Sequence, residues 1–156
     1  MVKFFQKIKT VLKNRTTYSV GLLQTKAYRI LKQATTVSLK EFDISALEWA
    51  LLGLLYITPM GMLQNEIAEE LGVETSFITV LSKPMIKKGL IEKKNSRLDN
   101  RAKITCITSA GQNFVIKIEK YLLSETKYLI QDASTSDIAG YLTVLETIIK
   151  NSKKVT

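Results

Sequence analysis

Apolar residues recur at three- and four-residue spacing along most of the chain and alternate in only one stretch, the pattern of a mainly helical protein with a little strand. Phe4, Phe5, Ile8, Val11 and Leu12, set among Lys3, Lys7, Lys9 and Lys13, predict a first amphipathic helix. Leu22, Leu23, Ala27, Ile30 and Leu31 predict a second over residues 17–38, which is either separate from the first or continuous with it through a bend. Ser45-Ala-Leu-Glu48 then has the form of a capping box, in which hydroxyl and carboxylate each take one orphan amide proton at a helix start. The helix behind it, through Trp49, Leu51, Leu52, Leu54, Leu55 and Ile57, is apolar almost all round and belongs in a core. Pro59-Met-Gly61 predicts a turn, Pro presetting one backbone angle and Gly relaxing another.

Two short helical patterns follow, residues 64–71 and 75–88, separated by Gly72-Val73 and closed by Gly89. Each Gly can adopt the left-handed conformation that ends a helix, and this length and punctuation are those of a helix-turn-helix. Leu90 to Lys94 and Ala102 to Thr108 read as two strands around the polar connection Asn95-Ser-Arg-Leu-Asp-Asn-Arg101. In the second strand Ala102, Ile104 and Cys106 alternate with Lys103 and Thr105, which predicts one buried and one solvent face. Two helices close the chain: one from Thr108 or Ser109 carries Phe114, Ile116, Ile118, Tyr121 and Leu122. The other, with a box-like start at Ser134 to Asp137, is expected to bury Ile138, Tyr141, Leu142, Leu145, Ile148 and Ile149.

Composition narrows the chemistry. The chain has 156 residues, a length for one domain, with 46% hydrophobic residues, no His and one Cys. Without His there is no Ser-His-Asp or Cys-His nucleophile pair and no His-ligated metal site, so an enzyme is not expected. A lone Cys106 excludes an intramolecular disulfide and a Cys-rich zinc site, and with no signal-like segment a cytoplasmic setting is expected. The apolar run at Leu51 to Ile57 falls far short of the roughly 20 residues that cross a bilayer, so no membrane segment is expected. The net charge of +9 is unevenly placed. Residues 1–40 hold nine basic and no acidic side chains, residues 41–74 seven acidic and no basic, and residues 75–109 eight basic against two acidic. Segregated positive charge attracts polyanions, although a solvated Lys-rich surface has the same composition.

Helical spacing discriminates further. At about 100° per residue, Phe77, Ile78, Leu81 and Met85 share one side of the second helix of the pair. Ser76, Thr79, Val80, Lys83 and Lys87 share the other. Hydroxyls near the N-terminus and lysines further along suit the major groove of DNA, where they can meet base edges and phosphates. At the hairpin tip, Arg97 and Arg101 suit an adjacent minor groove, and Asp99 between them can orient one guanidinium by a charge-assisted pair.

Glu66-Ile-Ala-Glu-Glu-Leu-Gly-Val73, Ile86-Lys-Lys-Gly-Leu-Ile91 and Asp99-Asn-Arg-Ala-Lys-Ile-Thr-Cys-Ile-Thr-Ser-Ala-Gly111 together resemble the MarR family of winged helix-turn-helix transcriptional regulators. The most specific element is the Asp99-x-Arg101 wing followed by Ile107-Thr108-Ser-Ala-Gly111. The resemblance runs from about residue 17 to 150 and includes Trp49. It implies a basic N-terminal extension, 1–16, before a winged domain, 17–153, with the helix-turn-helix at 64–88, the wing at 90–108 and dimerisation helices at about 17–39 and 109–152. It further implies a homodimer that binds a pseudo-palindromic operator in double-stranded DNA, mostly as a repressor, and is released by a small aromatic or anionic effector. No cofactor or metal is implied. Carried over by position, the recognition helix is Thr75 to Lys88, with Thr75, Ser76, Thr79, Val80, Lys83 and Lys87 towards DNA, and Arg97, Asp99, Asn100 and Arg101 form the wing tip.

Three positions depart from the family pattern. Val80 stands where many members have Arg; Pro84 lies inside the recognition helix and should bend or loosen its last turn; and Glu74 replaces a capping Ser, leaving Thr75 to cap instead. A rival reading follows from the first two: a winged-helix module that binds protein, its base readout reduced. Cys106, on the strand face with Ile104, reads as a buried inert thiol and not as an oxidant sensor. Tyr18, Tyr28, Trp49 and Tyr56 could line an apolar crevice, but aromatics at helical spacing more often belong to a core. Glu66, Glu69 and Glu70 read as a solvated helix face, not a metal site.

Overall fold

The computed structural model describes residues 17–95 and 103–152. The helix expected at residues 1–13 and the wing-tip residues Arg97, Asp99, Asn100 and Arg101 lie outside the described residues. Residues 17–125 and 126–152 fall in two compact units.

In the first unit, helix α1 (Thr17–Lys40) outlasts its expected end by two residues. Among its described side chains only Ser38 and Leu39 are buried. A turn closed by Phe42 N–H to Leu39 O (3.1 Å) and Asp43 N–H to Lys40 O (3.1 Å) leads into α2 (Ala46–Tyr56). The capping box forms as expected: the Ser45 hydroxyl accepts from the Glu48 amide (3.2 Å) and the Glu48 carboxylate from the Ser45 amide (2.7 Å). Leu51, Leu52 and Leu55 are wholly buried, whereas Ile57, past the helix end, is 74% exposed. The turn at Pro59 closes through Gly61 N–H to Thr58 O (2.9 Å). Gly61 has φ +81°, and a Cβ there would stand 2.5 Å from Cys106 Sγ, so both backbone angle and space require glycine.

Pattern alone did not reveal the next element, β1 (Met62–Leu63), because two residues show no periodicity. It precedes α3 (Gln64–Leu71), whose Glu66 carboxylate reaches back to the Leu63 amide (2.8 Å). Gly72 ends α3 in the left-handed conformation (φ +65°), and α4 (Thr75–Lys87) follows. Strands β2 (Ile91–Asn95) and β3 (Lys103–Ile107) complete an antiparallel sheet in the order β1-β3-β2. With a neighbour on each side, β3 is central, and the expected alternation fails: Thr105, assigned to the solvent face, is 1% exposed, as Cys106 (8%) and Ile107 (9%) are also buried. Helix α5 (Ser109–Thr126) buries Gly111, Val115, Ile118 and Leu122. Ile116, expected on its apolar side, is 55% exposed, the buried stripe lying one position over.

The core joins Leu39 and Ile44 at the α1–α2 corner to α2, α3, α4, the strands and α5. Phe42 packs edge-on against Phe114 and Tyr121, with ring centroids 6.0 and 5.2 Å apart.

The second unit holds a 3₁₀ turn (Lys127–Leu129) and α6 (Thr135–Ser152). Its box-like start is present: the Ser134 amide donates to Asp137 Oδ2 (3.1 Å) and the Asp137 amide to the Ser134 hydroxyl (3.2 Å). The Ser134 hydroxyl, which donates to Asp137 Oδ2 (2.6 Å), and the Ser134 amide together hold the Asp137 carboxyl below the usual carboxylate range. The expected burial of α6 is not found: Tyr141, Leu142, Ile148 and Ile149 are exposed, and only Ile138 and Leu145 are half-buried. An amphipathic pattern states which face is apolar, not what covers it.

Candidate nucleic-acid interface

Helix α4 is built with two faces. Ile78, Leu81, Ser82 and Met85 are buried, and Thr75, Ser76, Thr79, Val80, Lys83 and Lys87 are all exposed. Phe77 is a correction: expected inside, it is 42% exposed and edges an apolar groove with Leu47, Ala68 and Val73. At the start of the helix the capping residue is Glu74 and not Thr75: Glu74 is extended (φ −67°, ψ 140°) and its carbonyl accepts from Phe77 N–H (2.9 Å). No side chain caps this end. Its first amides are therefore without a side-chain acceptor, and with the positive end of the helix dipole they favour an anion.

Gln64, which pattern did not single out, opens α3 and donates from Nε2 to Thr79 Oγ1 (3.1 Å). The bond fixes the Thr79 hydroxyl as an acceptor on one side and leaves its proton to donate elsewhere. Fifteen residues separate the pair, so only the crossing of α3 and α4 brings them together.

The other end of α4 is tightly held. Pro84 does not loosen it: the helix continues to Lys87, and Lys88 N–H closes the last turn on Pro84 O (2.9 Å). Gly89 (φ +68°) reverses the chain, and Leu90 N–H returns to Met85 O (3.0 Å). The Thr108 hydroxyl then donates to Gly89 O (2.7 Å) while accepting from the Gly111 amide (3.0 Å), and Thr108 N–H donates to Leu90 O (3.0 Å). A Cβ at Gly111 would lie 2.1 Å from Leu90 O, so the close approach admits only glycine. Thr108-Ser-Ala-Gly111 is thus a buckle that fastens the end of α4 to the start of α5.

In the wing, Ile91 pairs with Ile107 and Asn95 with Lys103, which sets the two strands in register up to the tip. Lys93, Lys94 and Lys103 are exposed along it, and Lys94 pairs with Glu92 (2.7 Å). Arg97, Asp99, Asn100 and Arg101 belong to the connection between these strands, outside the described residues. Cys106 is 8% exposed and its burial raises the thiol pKa, as an inert core cysteine requires. Tyr28 and Tyr56, 61% and 42% exposed, belong to no core. Among the described residues no cluster of three or more His, Cys, Asp or Glu could hold a metal ion, and no helix is long and apolar enough to cross a membrane.

The MarR family model matches residues 44–103, from the α1–α2 corner through the wing. Those residues belong to the MarR family. Three solved structures are similar in fold over most of the chain. A MarR-family transcriptional regulator from Rhodococcus sp. RHA1 superposes with a TM-score of 0.76 at 16% identity, over 86% of this chain and 96% of that one. CouR from Rhodococcus jostii RHA1, solved with p-coumaroyl-CoA, gives 0.75 at 17% identity over 83% and 90%. The S. aureus MepR–DNA complex gives 0.67 at 24% identity over 88% and 99%. These likenesses establish a MarR-type winged-helix fold for the chain. No curated protein matches the sequence as a relative.

Proposed function

We propose that the chain is a sequence-specific DNA-binding transcriptional regulator, a repressor acting as a homodimer on a pseudo-palindromic operator. The observation that carries this reading is α4: a helix fastened to the core by Ile78, Leu81 and Met85 that turns Thr75, Ser76, Thr79, Lys83 and Lys87 outward. Hydroxyls meet base edges or phosphates, and lysines meet phosphates or guanine. Exposed Lys93, Lys94 and Lys103 extend the basic surface towards the tip, where Arg97 and Arg101 are assigned to the minor groove with Asp99 and Asn100 beside them. Two similar folds solved with DNA support DNA as the partner: the MepR–DNA complex and CouR bound to a 23-mer duplex.

The homodimer is supported by uncovered apolar residues on α1 (Leu22, Leu23, Ile30, Leu31) and on α6 (Tyr141, Leu142, Ile148, Ile149), since exposed patches of this kind mark association surfaces. A small aromatic or anionic effector is supported by the p-coumaroyl-CoA in CouR. A reducing cytoplasm suits the single buried thiol.

Selection of bound sequences from a random DNA pool tests the reading, with two half-sites about one helical turn apart as the expected product. Arg101→Ala should weaken binding to the selected operator and flatten its salt dependence, whereas Lys127→Ala should change neither. Equal behaviour of the two variants would remove the wing from the interface. The rival protein-binding module draws on the exposure of Val80 (58%) and Phe77 (42%), and failure to protect any DNA at physiological salt would favour it.

A further inference from the structure

Helix α1 is seated on the rest of its unit at its C-terminal end. Its described buried side chains are Ser38 and Leu39, and the corner that follows is seated by Leu39 and Ile44 in the core. Between them Asp43 adopts φ +51°, a left-handed conformation that non-glycine residues take at a cost in energy. Both acceptors of Asp43 meet one donor: Lys88 Nζ, at the C-terminal cap of α4, donates to the Asp43 carbonyl and to its carboxylate, the latter at 2.8 Å. The hydrogen bond from the Lys88 ammonium, and its charge, hold the Asp43 carboxyl below its ordinary range. Although Lys87 and Lys88 are adjacent in a basic run, only Lys87 lies on the outward face of α4.

We propose that Lys88 is a positioning residue: by gripping the Asp43 corner it sets the angle between α1 and the recognition helix, and so the half-site spacing that the protein accepts. The inference rests on the regulator reading above. An ordinary surface ion pair between two charges contributes little to stability. This one differs in geometry. It takes a backbone carbonyl and a carboxylate together, from a residue whose left-handed backbone turns both towards the cap of α4. Ile78, Leu81 and Met85 hold α4 rigidly to the core, so a change in the grip at its C-terminal cap shifts the reading head as one body relative to α1. If α1 joins a second copy, the corner is also where each reading head hangs from the dimer.

The 156-residue chain is assayed on its selected operator and on versions whose spacer is one base pair longer or shorter. If selection enriches no sequence, the regulator reading fails, and this inference fails with it. Given an operator, Lys88→Met should cut the preference for the best spacer about tenfold, and Lys88→Arg, which keeps a cation that can reach both acceptors, should restore it. Asp43→Asn keeps a residue tolerant of the left-handed backbone and keeps the carbonyl acceptor, and should relax spacing in the same direction by a smaller factor. It also supplies the measurement if Lys88→Met fails to fold. A uniform loss of affinity at every spacing, or unchanged selectivity in Lys88→Met or in Asp43→Asn, would overturn the proposal.

Discussion

Helices α1 and α2 both carry adjacent leucines, Leu22-Leu23 in one and Leu51-Leu52 in the other, and meet at one corner, yet they end in opposite surroundings. Leu51, Leu52 and Leu55 of α2 are wholly buried among α3, α4, the strands and α5, while Leu22, Leu23 and Ile30 of α1 are 44%, 53% and 55% exposed. The described part of the winged helix covers the α2 leucines; those of α1 stay exposed. Burying a leucine contributes about 1.5–3 kcal/mol, so the α2 residues stabilise the fold, and those of α1 would add that contribution only in the homodimer proposed above.

The contrast breaks first at the core. Leu52→Ala should lower unfolding free energy by about 2–5 kcal/mol in a denaturant titration, because the deleted atoms leave a cavity. Leu23→Ala should change the unfolding of the isolated chain by less than about 0.5 kcal/mol and instead weaken self-association measured by sedimentation. If both variants destabilise equally at every protein concentration, α1 is part of the single-chain core and the distinction is false. Gly111→Ala comes next, since its methyl would meet the Leu90 carbonyl; overpacking should cost about 1–3 kcal/mol and loosen the end of α4, visible as faster amide exchange at Gly89 and Leu90. Ser45→Ala sharpens the start of α2: loss of one reciprocal cap bond should cost about 1 kcal/mol, and Ser45→Thr should recover most of it.

Much of the candidate interface was legible because the interactions that shape it are local. Ser45 and Glu48 are three residues apart, Gly72 and Gly89 announce helix ends by backbone freedom alone, and the outward row from Ser76 to Lys87 follows from the turn of a helix. What escaped was long-range or very short. The two residues of β1 have no period, yet by pairing with β3 they make it central and draw Thr105 inside. Phe77 fell on the wrong side because a wheel gives angle without the neighbour that covers it. Gln64 and the Lys88 grip on Asp43 were hidden by separations of 15 and 45 residues.

The sequence by itself determined the order of the described helices and of β2 and β3, the outward row on α4, the segregation of charge along the chain and the exclusion of histidine chemistry, since each follows from residue type and spacing within a few turns of chain. Only the tertiary structure decided which apolar faces are covered, that Pro84 leaves its last turn intact, and how α4 is fastened at Lys88 and at Thr108 to Gly111. Burial and fastening depend on partners that the fold brings from far along the chain, and no local pattern records where those partners stand.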